Sequence, residues 1–287
     1  MKKKLMPILA CVLLCGCNNH DEVENPVGSV AYTFALSGDF VQGEDREFGT
    51  RASLVADDKS MTDVWVLDYM NGQLVQQVHQ GDNTADDFGS PSLNLAYGDH
   101  HIYFVVSRGQ GASLDTNNHI ITFAKPLDNF YKDLQLNVIA TSNGQQAVTL
   151  DRISTKLKLS FTDAVAMNAS TINITPHTWY YGWDYINAVP ADAHTDETVT
   201  ISVPANFLGS NSASASIYGF SGSGVWTTDV AVDCRTAEGD VIGSAVIGNA
   251  PFKANRITEY SGPLFGSSGA MSLSLSTIWD EPYEGVW

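Results

Sequence analysis

Material for covalent cross-links is scarce in this chain. Four cysteines stand among 287 residues, and Cys11, Cys15 and Cys17 all fall at the extreme N-terminus. Cys234 is alone in the body of the chain, so a disulfide framework is excluded there and the fold must rest on packing. Basic charge is also sparse, with 15 Lys+Arg against 32 Asp+Glu and a net charge of −17. That balance argues against nucleic acid, because phosphate backbones would be repelled, and it ill suits an anionic membrane surface. No stretch carries a convincing helical stripe, and there is no clean repeat or low-complexity block. No apolar run reaches the roughly 20 residues that span a bilayer. Catalytic and metal-binding constellations are missing as well. His79, His119, His177 and His194 are scattered, and none carries a metal-ligand spacing. His100 and His101 are adjacent in an expected strand, so their side chains point to opposite faces. Asp82, Asn83, Asp86 and Asp87 share a loop whose spacing departs from calcium loops and reads as a solvated turn. The glycine runs lack a phosphate-binding lysine. An enzyme, a metal centre or a bound cofactor is therefore not expected.

The N-terminus is distinctive. Lys2, Lys3 and Lys4 precede a short apolar run from Leu5 to Gly16, the pattern of a secretory signal. Its end, Leu14-Cys15-Gly16-Cys17, resembles the lipobox of bacterial lipoproteins. The resemblance implies cleavage after Gly16 and lipidation of Cys17, and several acyl chains on one residue give durable anchoring. Residues 1–16 then form the signal peptide, and 17–28, with Asp21, Glu22 and Glu24, form an acidic tether. Removing the three lysines leaves 12 Lys+Arg against 32 Asp+Glu, net −20.

The body of the chain reads as strands. Val30, Tyr32, Phe34 and Leu36 alternate with small and polar residues, as do Leu157, Leu159 and Phe161, Val199, Ile201 and Val203, and Met271, Leu273 and Leu275. Period-two alternation places one face of a strand in a core and the other in water. Residues 64–69 and 100–109 are apolar at nearly every position, which fits strands buried on both faces. Turn chemistry separates the runs at Asn71-Gly72, Ser142-Asn143-Gly144 and Glu238-Gly239. The length suits two domains. A turn cluster at 142–150 marks the expected boundary, with one β-sandwich over 29–149 and another over 150–287.

Three segments, in this order and spacing behind a lipobox, resemble the fimbrillin family, the lipoprotein pilins and associated subunits of type V pili. They are TDVWVLDYMNGQLVQQV (62–78), LDRISTKLKLSF (150–161) and FKANRITEYSGPLFG (252–266). The resemblance implies an all-β fold of two transthyretin-like β-sandwiches in tandem. It implies a location on the cell outer membrane, surface-exposed, and in the fimbrium after maturation. It also implies cleavage by an arginine-specific protease after the first strand. Arg51, before Ala52, matches the family's cleavage position, and Arg46 is the second candidate; each also reads as ordinary loop charge. The freed groove would take a strand from the next subunit, a case of strand addition, so the partners are other pilus subunits in a head-to-tail polymer. The segment 271–276 is a plausible donor, or completes its own sheet.

A second reading stays open, that of an uncleaved surface lipoprotein serving as pilus base anchor or as a binder of glycans or host proteins. It draws on HTWYYGWDYINA (177–188). Trp179 and Trp183 there either stack on sugar rings or pack inside the fold, and packing is the favoured expectation.

Overall fold

The structure is a computed structural model, and it describes residues 28–38, 47–48, 61–81, 84–211, 213–265 and 272–274. From the N-terminus the strands are β1 (Ser29–Gly38), β2 (Glu47–Phe48), β3 (Asp63–Met70), β4 (Gln73–Gln80), β5 (Ser92–Ala96), β6 (Gly98–Ser107), β7 (Gln110–Asp115), β8 (Ile120–Lys125), β9 (Asn129–Val138) and β10 (Gln145–Arg152). The later strands are β11 (Ser154–Phe161), β12 (Thr171–Pro176), β13 (Thr178–Asp184), β14 (Val189–Thr195), β15 (Val199–Ser202), β16 (Ala213–Phe220), β17 (Trp226–Arg235), β18 (Val241–Phe252), β19 (Arg256–Gly262) and β20 (Ser272–Ser274). A single 3-10 turn spans Ala205–Phe207, and the described residues contain no α-helix. The expected all-β class is what forms.

A seven-stranded sheet runs in the order β4-β3-β6-β9-β10-β1-β5. Its strands gather round one core, with Phe34, Val66, Leu95, Ile102, Phe104 and Val148 among the buried residues. The sheet therefore curls until its two edges, β4 and β5, approach each other. Gln76 on β4 closes the gap. Its Nε2 donates to Asn94 O at 3.2 Å, and Asn94 N donates to its Oε1 at 3.1 Å, so a side-chain amide stands in for a strand. The β3–β4 turn has Asn71 and Gly72 at φ 49° and 75°. Positive φ at both central residues is the two-residue hairpin geometry that Asn-Gly favours.

The strands read as buried on both faces are so. Val64 and Val66 of β3, with Ile102 and Phe104 of β6, enter the curled core. Leu67, Tyr69, Tyr103 and Val105 face the other way, into a second core shared with Phe123, Trp183, Tyr185 and Phe220. That core lies under a four-stranded sheet of order β14-β13-β8-β7. A third core fills the space between the sheets β2-β16-β11-β19-β20 and β15-β12-β17-β18.

The division expected between residues 149 and 150 falls within β10. β8 and β13, from either side of it, pair directly at Thr122–Gly182 and Ile120–Asp184. One residue, Ile153, separates β10 from β11, and the junction is pinned by buried polar groups. Arg152 Nε donates to Asp128 Oδ1 at 2.9 Å, and its Nη1 donates to Asn255 Oδ1 at 2.9 Å. Ile153 N donates to Asn129 O, and Ser221 N to Ile153 O.

Candidate functional site

β1 lies inside its sheet. Thr33–Gly38 pair in parallel with Gln145–Leu150 of β10, and Ser29–Thr33 pair antiparallel with Ser92–Ala96 of β5. Beyond β5 the contact continues, with Phe34 N donating to Pro91 O at 3.0 Å and Leu36 N to Gly89 O at 3.2 Å. Thr33 N donates to Gly144 O at 2.9 Å. A Cβ on Gly144 would sit 2.4 Å from Ala31 O, so the turn before β10 needs glycine to lie this close to β1. The alternation expected from sequence is observed. Tyr32 and Phe34 are buried, Val30 and Leu36 are half-buried, and the residues between them are exposed. Phe34 meets Phe104 edge-on, with ring centroids 5.1 Å apart. Ser37 adds a 3.3 Å bond from its Oγ to Val148 O and a hydroxyl contact with Thr149, and Thr33 a hydroxyl contact with Ser92. The strand is thus held by main-chain ladders on both sides and by alternate side chains in a bed, and no ion pair of β1 is recorded among the described residues.

The next strand described is β2, whose backbone pairs in parallel with Ser214–Ala215 of β16. Gly16, Cys17, Arg46 and Arg51 lie outside the described residues. Of the expected donor segment 271–276, Ser272–Ser274 are described. They run antiparallel to β19 and extend its sheet.

The aromatic cluster packs inward, which removes Trp179 and Trp183 as an exposed sugar platform. Trp179 is 2% exposed and Trp183 3%. Trp179 meets Phe252 edge-on at 5.0 Å, and its Nε1 donates to Tyr218 O at 2.9 Å. Its ring lies so close to β16 that a Cβ on Gly219 would come within 2.6 Å of it. Trp183 packs against Tyr131 and Phe220, and the Tyr185 and Tyr69 hydroxyls bond at 2.9 Å.

Among the histidines, His100 is fully enclosed. Its Nδ1 lies 2.7 Å from Asp68 Oδ1 and its Nε2 2.8 Å from Ala96 O. Burial raises the Asp68 carboxyl above its ordinary value, and the bond and charge of His100 only partly offset this. His101 points to the opposite face, beside Tyr103. Cys234 is buried in the third core, and burial pushes its thiol up to about 11, with Asp233 and Asp163 adding to the effect. No group of three or more metal-ligating side chains occurs among the described residues. The sequence reading missed the His100–Asp68 pair, although a lone Asp in the apolar run 64–69 was a signal that a buried partner was needed.

No protein-family model matches the chain, and no curated protein matches it in sequence. Solved structures do match in fold. A candidate adhesin from Bacteroides ovatus is 10% identical, with TM-score 0.51, over 83% of this chain and 88% of that one. Candidate polysaccharide-binding proteins from Bacteroides thetaiotaomicron are 8% identical, with TM-score 0.54, over 88% of this chain and 100% of the other. The C-terminally truncated tip fimbrial protein Mfa3 from Porphyromonas gingivalis is 13% identical, with TM-score 0.44, over 88% and 100%. The likeness to the candidate adhesin and to the candidate polysaccharide-binding proteins is one of fold.

Proposed function

We propose that the chain is a structural subunit of a cell-surface fimbria. In this reading it is exported as a lipoprotein through Cys17, cleaved by an arginine-specific protease at Arg51 or Arg46, and assembled by strand exchange. The reading takes the fold as two transthyretin-like sandwiches in tandem, and the paired sheets around the third core support the second of these. Its location is the outer surface of the cell, and its partners are further subunits of the same or a related kind. The fold shared with candidate adhesins and with candidate polysaccharide-binding proteins supports a role in adhesion.

One observation carries the proposal: β1 is an internal strand that ends ahead of the arginines. Its loss would open two ladders at once, on β10 and on β5, and would empty the places of Tyr32 and Phe34. Full burial of such a side chain is worth about 1.5–3 kcal/mol. Two full burials and two partial ones come to roughly 5–9 kcal/mol, which is comparable with the stability of a typical domain. A cleaved monomer would hold an open apolar groove between unpaired edges, and a neighbour's strand would fill it. Donor and groove would be different surfaces, so the contact is head-to-tail and builds a filament where the rotation between subunits does not close a ring.

The test treats purified precursor with an arginine-specific protease and follows size by light scattering and electron microscopy, beside an Arg46→Ala/Arg51→Ala double variant. Polymers from the wild type alone are expected. A cleaved chain that stays a stable monomer would reject the stalk-subunit reading and favour a base anchor or a surface binder.

A further inference from the structure

The outer strand of a sheet is open to pairing with another chain, and native folds keep such edges short, sealed or charged. Most edges here follow that rule. β4 and β5 are joined through Gln76. β14 carries Pro190 and Asp192, β7 carries Asp115, and β15 has only four residues. β18 breaks the rule. It is the last strand of its sheet, paired there with β17. With 12 residues it is the longest strand among the described residues. It carries no charged side chain, in a chain of net charge −17. Val246, near its middle, is 74% exposed.

The direction of its main-chain groups follows from the neighbouring ladders. His177 N donates to Asp229 O, in register with the β12–β17 pair. Successive residues of an antiparallel pair alternate, so the odd-numbered residues of β17 turn their N–H and C=O toward β12. Val230, Val232 and Cys234 then turn theirs toward β18, where they face Ile247, Ala245 and Gly243 with no register shift between them. The N–H and C=O of Ser244 and Val246 therefore point outward, away from β17. The surroundings are neutral too. Ala231 stands opposite Val246, and Asp233, opposite Ser244, is held by Arg235 and Asn173. The backbone of Leu264 lies against Gly243, and the register shifts after Ile247, so the open run is Ser244 to Ile247.

We propose that β18 pairs with β18 of a second copy of this chain, antiparallel and about a two-fold axis. Ser244 of each copy faces Val246 of the other, Ala245 faces its own counterpart, and each Ser244–Val246 pair exchanges two main-chain bonds. Two four-stranded sheets become one continuous sheet. Charge favours a second copy as the occupant. Copies of net charge −17 repel, and they can meet closely only where neither presents an uncompensated acid, as along this run. A two-fold contact also uses one patch twice, so the patch must complement itself. A neutral run with free donors and acceptors on the same residues does so. β18 and β1 lie in different sheets, so this pairing needs no cleavage and stands whether or not the chain polymerises.

The test follows the mass of the purified precursor, without protease, by analytical ultracentrifugation over a range of concentrations. A monomer–dimer equilibrium is expected. It should tighten as salt rises, because screening relieves the repulsion between copies. Amide exchange read by NMR should slow at Ser244 and Val246 as the dimer fills. Val246→Pro deletes an outward N–H and no bond to β17, a place where an edge strand tolerates proline. It removes two of the four bonds and should weaken the dimer by at least about tenfold. Val246→Glu, which brings acids together across the axis, should weaken it as well, and it decides if the proline variant does not fold. Val75→Glu, at an exposed position on β4, should leave the dimer unchanged. A precursor that stays monomeric throughout, or a dimer indifferent to both Val246 variants, would overturn the proposal. So would an open-ended series of larger species. Protection of the Ser244 and Val246 amides by a peptide of residues 29–38, in place of a second copy, would assign the edge to an unlike strand and overturn the self-pairing.

Discussion

Trp179 shows how one side chain joins two elements. It fills the third core against Phe252 and ties β13 to β16 through its indole N–H. Trp179→Ala should cost about 3–5 kcal/mol in urea denaturation, in the range of other buried large aromatics. The direction in which it points was legible in sequence. Residues 179, 181, 183 and 185 share one parity, and all four are buried. Which core each ring enters was not legible, because alternation fixes a face and says nothing of what covers it: Trp179 and Tyr181 join one core, Trp183 and Tyr185 another. Asp68 makes the pH-dependent case. Burial raises its pKa in the folded chain, so the folded state holds that proton more tightly than the unfolded state does. Its contribution to stability is therefore fullest below the ordinary carboxylate range and is lost as pH rises through the folded value. Denaturation series on wild type and Asp68→Asn should show the difference between them moving in favour of the wild type as pH falls from 7 toward 4. A difference that stays constant would contradict this.

At the scale of the element, β1 is the informative case. Its inward residues were plain from alternation, and so was the two-sided burial of β3 and β6. Its place between β10 and β5 was not, since parallel pairing with a strand more than a hundred residues away leaves no local mark. The same holds for Gln76, a polar residue on an exposed strand that seals the curled sheet. If β1 is held by two ladders and alternate side chains alone, it should be replaceable in trans. A synthetic peptide of residues 29–38, added after protease treatment, should raise the melting temperature of the cleaved chain and suppress its polymerisation. A Tyr32→Ser/Phe34→Ser version of the peptide should do neither. Equal effects of the two peptides would show that the bed does not read side chains.

At the scale of the whole molecule, the junction near Ile153 couples the halves. Asp128, Arg152 and Asn255 come from distant parts of the sequence and meet where almost no water reaches. Removing one member of a buried ion pair leaves the other charge uncompensated, at a cost of about 3–5 kcal/mol. Arg152→Met should fall in that range, and Asp128→Asn combined with it should cost clearly less than the sum of the two single changes. Additive costs would mean that the pair does not act as a unit. The sequence marked this region only as a turn cluster before a new strand. The sheet joining β8 to β13 depends on pairing across that cluster, which composition and periodicity do not encode.

The central position of β1 also sets a timetable for the growing chain. β1 is made early, yet its neighbours are β5, which ends at Ala96, and β10, which ends at Arg152. Synthesis proceeds at about 5–20 residues per second, so β1 waits roughly 5–20 s before its second ladder exists. Until β10 is made, one edge of the strand that carries Tyr32 and Phe34 stays unpaired, and a similar edge can capture it. A chain that ends before residue 152 would carry β1 with one edge unpaired, a fragment poised to aggregate.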